Sequence, residues 1–288
     1  MMPIAITLGA IFYNFFTLLA FITPYLIFVM LFLTYSKLRL NHMRLTRLHL
    51  WLILIQIFGS LAVFLVLSPF NITLAQGAMI CVLAPTATAA PVIVGMLKGN
   101  VESLTSYSLL SNMTVALAAP IIFSLVGPFQ NLPFIDSVMA ISQRVVILLF
   151  SPFLLAMLMQ KFTPNTIQKV SAYAGLSFYV WCFALSVVSG RTVVFIMQQN
   201  SNSYIVEILV AVGALVVCIS QFVIGRLIGK KYDDTVAGGQ GLGQKNTILA
   251  IWMAQMYLNP IACIGPGAYV LWQNLINSYE IWRERRSL

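Results

Sequence analysis

Lys245 lies in the stretch GGQGLGQKNTILAIW (residues 238–252), where four glycines in six residues precede a lysine, an asparagine and a threonine. A second polar island, PTATAAP at residues 85–91, holds its threonines between two prolines. Proline removes a backbone donor and clashes with the preceding turn, and a glycine run has no side chains to hold a helix, so both stretches break any helix that contains them. Half-helices starting near Ala89 and Asn246 would present unpaired N–H groups and a partial positive charge, to which Lys245 adds a full one. That chemistry suits the binding of an anion. Covalent catalysis is not suggested: there is no Ser/His or paired-carboxylate constellation, and His42 and His49 lie in or beside a basic loop. Cys81, Cys182, Cys218 and Cys263 sit in apolar runs without the spacing of a disulfide framework or a metal site. We expect neither an enzyme nor a bound cofactor or metal.

The elements that must position these residues are membrane helices. Of 288 residues, 60% are hydrophobic and 8% charged, which leaves too little polar surface for a soluble domain. The N-terminal apolar run lacks the basic flank and cleavage site of a signal peptide and reads as mature structure. With about 20 residues per crossing as the measure, the chain divides into roughly ten spans. They begin near residues 4, 24, 46, 73, 101, 137, 167, 203, 234 and 262. The first two are tight, because residues 4–36 form one apolar run broken only at Thr23-Pro24.

Charge gives the orientation. Lys37, Arg39, Arg44 and Arg47 follow span two, Lys98 span four, and Lys161 and Lys169 flank the sixth gap. Arg226, Lys230 and Lys231 follow span eight, and Arg283, Arg285 and Arg286 follow span ten. The odd gaps hold little beyond Asp136 and Arg191, so the excess of basic residues inside places both termini in the cytoplasm. The net charge of +9 is then mostly topology and affinity for anionic headgroups rather than nucleic-acid binding. Arg144 and Glu207 fall a few residues inside the outer ends of spans six and eight, where long side chains can reach the interface; Arg144 could instead guide an anion inward.

The two broken spans are the fourth of five and the ninth of ten. Freed backbone groups cannot face lipid, so such breaks persist only within protein or beside a wet cavity. Paired breaks at corresponding places in two halves are a feature of secondary transporters, in which crossed half-helices aim at substrate and ion.

The residues at these breaks resemble the bile acid:sodium symporter superfamily. PTATAAPVIVGMLKGNV is similar to its broken fourth helix, GLGQKNT to its ninth-helix motif and LWQN (residues 271–274) to a tenth-helix segment, and Gln56 matches a third-helix glutamine. The resemblance implies an all-α fold of about ten transmembrane helices in two inverted five-helix repeats, residues 1–136 and 137–288. It further implies a core domain from about 46–126 and 203–282, and a panel domain from about 4–36 and 137–190, that move relative to each other in alternating access. It places substrate contacts at Thr88, Ala89, Asn246, Gln273 and Asn274, with Asn274 and Asn277 also suited to interhelical hydrogen bonds.

The match departs from the family at the ions. The family's Ser-Asn pair falls on Ala90-Pro91, its ninth-helix glutamate on Gly241, its two fifth-helix hydroxyls on Leu104 and Ser108, and its ninth-helix glutamine on Lys245. Gln56 and Ser108 alone keep matching side chains. We therefore expect a secondary active transporter of a small or amphipathic organic anion in a cytoplasmic membrane, independent of sodium. The Lys245 ammonium would stand in for the ion, held by Gln56 and carbonyls of the broken helix. The alternatives are a sodium- or proton-coupled symporter of the same fold, and a membrane protein that binds a ligand without transporting it. Neither the oligomeric state nor the identity of the anion follows from the sequence.

Overall fold

The computed structural model describes residues 2–38, 43–127, 133–173, 175–198 and 204–286; Arg39 and His42 lie outside them. The protein is an all-α membrane protein. Its helices in chain order are α1 (Met2–Ile11), α2 (Tyr13–Leu18), α3 (Thr23–Tyr35), α4 (Arg47–Leu67), α5 (Ile72–Leu83), α6 (Ala90–Met96) and α7 (Val101–Val126). They continue as α8 (Phe134–Phe162), α9 (Pro164–Ala172), α10 (Leu176–Met197), α11 (Ile205–Lys230), α12 (Thr235–Gly243), α13 (Thr247–Tyr257) and α14 (Ile264–Arg286). Five of them, α4, α7, α8, α10 and α11, are long and apolar enough to cross a membrane.

The side chains are sorted for a lipid solvent. On α4, Gln56 and Ser60 are buried while Phe58 and Leu65 are exposed, the reverse of an amphipathic helix in water. The helix starts are encoded locally. Asn71, Asn100 and Asn246 each accept a hydrogen bond from the backbone N–H three residues on, capping α5, α7 and α13. His49 serves the start of α4, where its Nδ1 accepts from Thr46 N at 3.3 Å.

One expected boundary shifts. A seventh span starting near residue 167 would include Lys169, but the chain there forms the short α9, broken from α10 before Leu176. Pro164 at its first position starts α9, and its exposed, polar character sets it apart from the apolar helix that follows.

Helices α1, α2, α3, α8 and α10 pack on one another, α4, α5, α11, α12 and α14 form a second group, and α7 joins the two by packing along α8 on one side and against α4, α6 and α12 on the other. Closest of all is the pair α11–α12, where Gly225 and Gly229, one turn apart, face Gly238 and Gly239. A Cβ on Gly225 would strike the Gly238 carbonyl, and one on Gly238 would strike the Gly225 carbonyl. This small-xxx-small contact lets the backbones touch and fixes α12 before it breaks. Gly225→Val should destabilise the protein by about 1–3 kcal/mol through overpacking. Gly267→Ala, where a Cβ meets nothing within 4 Å, should leave the unfolding midpoint in detergent almost unchanged.

Candidate functional site

The two interrupted segments meet. Thr86 and Lys245 form an isolated antiparallel bridge: Ala87 N donates to Gln244 O at 2.9 Å and Asn246 N to Pro85 O at 2.8 Å. Each break thus supplies the other with the backbone partners that its own helix has given up.

The remaining carbonyls at the end of α5 are taken by one backbone N–H and by three side chains. Ile80 O accepts from Ala84 N, and Cys81 O from Gln221 Nε2 at 3.1 Å. Val82 O accepts from Lys245 Nζ at 2.8 Å. Gln56 Nε2 donates to Leu83 O at 2.8 Å and to Ala84 O at 3.0 Å. The Gln56 carbonyl in turn accepts from Tyr107 OH and Ser111 Oγ, so its amide is fully used. The end of α12 is treated alike: Gly241 O accepts from Thr86 Oγ1 and Gly243 O from Tyr269 OH, both at 2.8 Å.

Lys245 is therefore held from both ends. Gln273 Oε1 accepts from its backbone N–H at 2.8 Å and Gln273 Nε2 donates to its carbonyl at 3.3 Å. Its side chain runs back to α5, and the residue is 1% exposed. A lysine near the membrane centre costs roughly 2.5–3.5 kcal/mol on insertion scales. A hydrogen bond to a charged group returns about 1.5–3 kcal/mol, and a cation at a helix C-terminus up to about 2 kcal/mol more. These gains are of the same size as the cost, so the hydrogen bond to Val82 O and the α5 C-terminus together offset the burial of a charge here.

The positions singled out in the sequence divide into two groups. Lys245, Gln273, Asn246, Gly241 and Gln56 gather at the crossing. Gln56, however, bonds the α5 carbonyls directly, and none of its hydrogen bonds reaches the ammonium. Gly241 is confined by the Tyr107 ring, which a Cβ there would meet at 2.9 Å; the ring fills the space an acidic side chain would need. The second group stands apart. Asn274 donates to Val270 O at 2.6 Å on its own helix. Ser108 is buried, and its backbone carbonyl accepts from Asn112 Nδ2. Thr88 is half-buried and Ala89 exposed, at the rim of the break.

The expected ring of free N–H groups is largely closed at α6. Ala90 N donates to Ala87 O, Pro91 has no N–H and Val92 N donates to Ala89 O. At α13, Asn246 Oδ1 takes the N–H of Leu249. Asn277 makes the interhelical bond expected of it, accepting from Gln240 Nε2 at 2.9 Å.

Several residues here had no signal in the sequence. Thr86, Tyr107 and Ser111 look like ordinary helix and loop residues, and only the fold brings them onto Gln56 and Gly241. Glu280 was hidden among the basic residues at the end of the chain. It pairs with Arg226 and accepts from Gln240 Nε2 at 3.1 Å, which ties α12 to α11 and α14.

On the α13 side of the crossing lies an open cavity of about 810 Å³ between α2, α3, α8, α10 and α13. Arg144 of α8 and Arg191 of α10 both line it, together with Trp252 and Met256 of α13, and among the described residues no acidic side chain does.

No protein-family model matches the chain, and a search of curated proteins finds no match.

Gln56→Leu would strip partners from two carbonyls and two hydroxyls at once. At about 1–3 kcal/mol for each buried group left unpaired, it should cost at least about 2 kcal/mol in detergent unfolding. Phe58→Leu, on the exposed face of the same helix, should stay within about 0.5 kcal/mol.

Proposed function

We propose that the chain is a secondary active transporter of an organic anion that needs no sodium, because Lys245 carries the stabilising cation within the chain. In this reading ten spans form two inverted repeats, residues 1–136 and 137–288. The halves α5–α6 and α12–α13 are the crossed broken helices. The core comprises α4–α7 and α11–α14, and the panel α1–α3, α8 and α10. Both termini are cytoplasmic, in a cytoplasmic membrane. The two packing groups and the sequence resemblance support this division.

The single observation that carries the reading is the Lys245 ammonium, buried and hydrogen-bonded to Val82 O where the two breaks meet. A crossing of half-helix ends concentrates carbonyl dipoles at one point, and some cation must balance them. A bound ion would make that balance depend on ion supply. A covalently tethered ammonium removes the dependence and leaves the substrate to supply the negative charge. Gly241 and Ala90-Pro91 agree with it, since neither position offers oxygen side chains to an alkali ion. The half-buried Thr88 and exposed Ala89 offer a solute access to the crossing.

Uptake of radiolabelled organic carboxylates into proteoliposomes should proceed equally in sodium and in choline buffer. Lys245→Gln should abolish it, and sodium should not restore it. Marked stimulation of the unmodified protein by sodium, or full activity of Lys245→Ala without sodium, would exclude the proposal.

The orientation is checked in a cysteine-free background. Single cysteines at Leu45 and Lys231 should resist a membrane-impermeant maleimide in right-side-out vesicles, whereas one at Tyr204 should react. All three positions are exposed, so failure to label Tyr204, or labelling of Lys231 from outside, contradicts the assigned topology.

A further inference from the structure

Two arginines on different helices facing one apolar cavity need an explanation. Arg144 lies ten residues after the start of α8 at Phe134 and Arg191 six before the end of α10 at Met197. At 1.5 Å per residue these are depths of roughly 15 Å and 9 Å along their helices. Guanidinium groups so far from a helix end are expected to pair with acids or backbone carbonyls, or to serve a binding site. Here no acidic residue among those described lines the cavity. Arg191 rests 5.3 Å from the centre of the Phe195 ring and directs Nη1 and Nη2 at the Met256 sulfur, 3.9 and 4.0 Å away. Thioether sulfur is a weak acceptor, so the five donors of this guanidinium are poorly used by the protein. Arg144 is exposed to the same space. The rest of the wall is largely aromatic and aliphatic, including Phe21, Phe28 and Trp252.

We propose that this cavity binds an amphipathic organic carboxylate, whose charged group is taken by Arg144 and Arg191 and whose apolar body lies against Trp252 and the phenylalanines of the opposite wall. This deepens the transporter reading and rests on it for its role in transport. Guanidinium matches carboxylate in shape and binds it through paired N–H donors, which an ammonium cannot do. Gln143 and Ser151, also in the lining, add neutral donors for the carboxylate or for a polar substituent. The volume of about 810 Å³ lies within the usual range for drug-sized ligands, far more than a simple inorganic anion needs. Because α13 carries both Trp252 in the cavity wall and Asn246 at the crossing, the solute would touch the helix that Lys245 helps to anchor. An anionic phospholipid headgroup shares this chemistry; the assigned occupant is a free solute.

The test uses 1-pyrenebutyrate, an aromatic carboxylate that accepts excitation from tryptophan, with the full chain in phosphatidylcholine nanodiscs. The signal is the saturable quenching that Trp252→Phe removes. Pyrenebutyrate should give that signal, and the neutral 1-pyrenebutanol should bind at least about tenfold more weakly. Arg144→Gln and Arg191→Gln should each raise the dissociation constant about tenfold or more, the size expected on losing a charge-assisted bond. Arg144→Lys should keep part of the affinity. If either glutamine variant fails to fold, Ile147→Phe, which fills the cavity from its exposed rim without adding a tryptophan, must weaken pyrenebutyrate to the same degree. Equal binding of pyrenebutanol overturns the proposal, as does unchanged affinity in the folded arginine variants. Loss of the signal in nanodiscs containing phosphatidylglycerol assigns the cavity to a lipid headgroup and likewise overturns it. Arginine-dependent binding without any uptake into proteoliposomes would leave the site intact and remove only its transport role. Undiminished carboxylate uptake by Arg144→Gln and Arg191→Gln would do the opposite.

Discussion

A helix interrupted away from water releases carbonyls that no solvent can satisfy, and each one left unpaired costs several kcal/mol. Two such interruptions, at residues 84–89 and 244–246, set the terms for everything packed around them. The protein meets the demand by crossing them. The antiparallel bridge between Thr86 and Lys245 pairs backbone with backbone, and Gln56, Gln221, Lys245, Thr86 and Tyr269 take carbonyls that the bridge does not reach. Their positions explain the surrounding polarity: α4 turns Gln56 inward, α7 turns Tyr107 and Ser111 toward it, and α14 turns Gln273 onto the Lys245 backbone.

One of these capping groups differs in kind. Glutamine and hydroxyl groups satisfy a carbonyl without changing the field of the helix end, whereas an ammonium also balances the partial negative charge that the end of α5 gathers. The difference matters because α5 is short and buried from Ala75 to its C-terminal end at Leu83, so water does not screen that end. Replacing the cation by a neutral amide keeps a polar donor at this place, though one bond shorter, and loses the charge balance. The role of Lys245 is thus separable from mere capping, which is why glutamine is the informative substitution there.

How much of this was legible in the sequence follows from the range of each interaction. Breaks are written in adjacent residues: Pro85 and Pro91 announced one interruption and Asn246 the start of the half-helix after the other, whereas the glycines of residues 238–243, expected to break the helix themselves, lie inside α12 packed on α11, and the break follows them at residues 244–246. Lys245 stood out because a charge in an apolar run has few explanations. Gln56 was found as a site residue, but its partners were not, since they depend on which face of α7 turns toward α4. Gln273 and Asn274 are neighbours of equal polarity, and only the rotation of α14 selects Gln273 for the crossing and leaves Asn274 bonded along its own helix. Thr86 could not be told from Thr88 for the same reason. The Arg226–Glu280 pair was invisible because each residue resembles an ordinary charge at a helix end.

The crossing and the arginine-lined cavity are mechanically one object, because α13 belongs to both. Its first residues are fixed by the bridge and by the Asn246 cap, and Trp252 and Met256, within the following three turns, form part of the cavity wall. An 11-residue helix is too short to bend much, so any displacement of the bridge carries those two side chains with it. Arg144 and Arg191, which line the same cavity, belong to α8 and α10, and Arg191 touches Met256 of α13 directly. A ligand bound there would touch α13 together with α8 and α10, and its presence would favour arrangements in which these helices lie close. That is the differential binding a carrier needs, since a ligand shifts an equilibrium between conformations only as far as it binds them unequally.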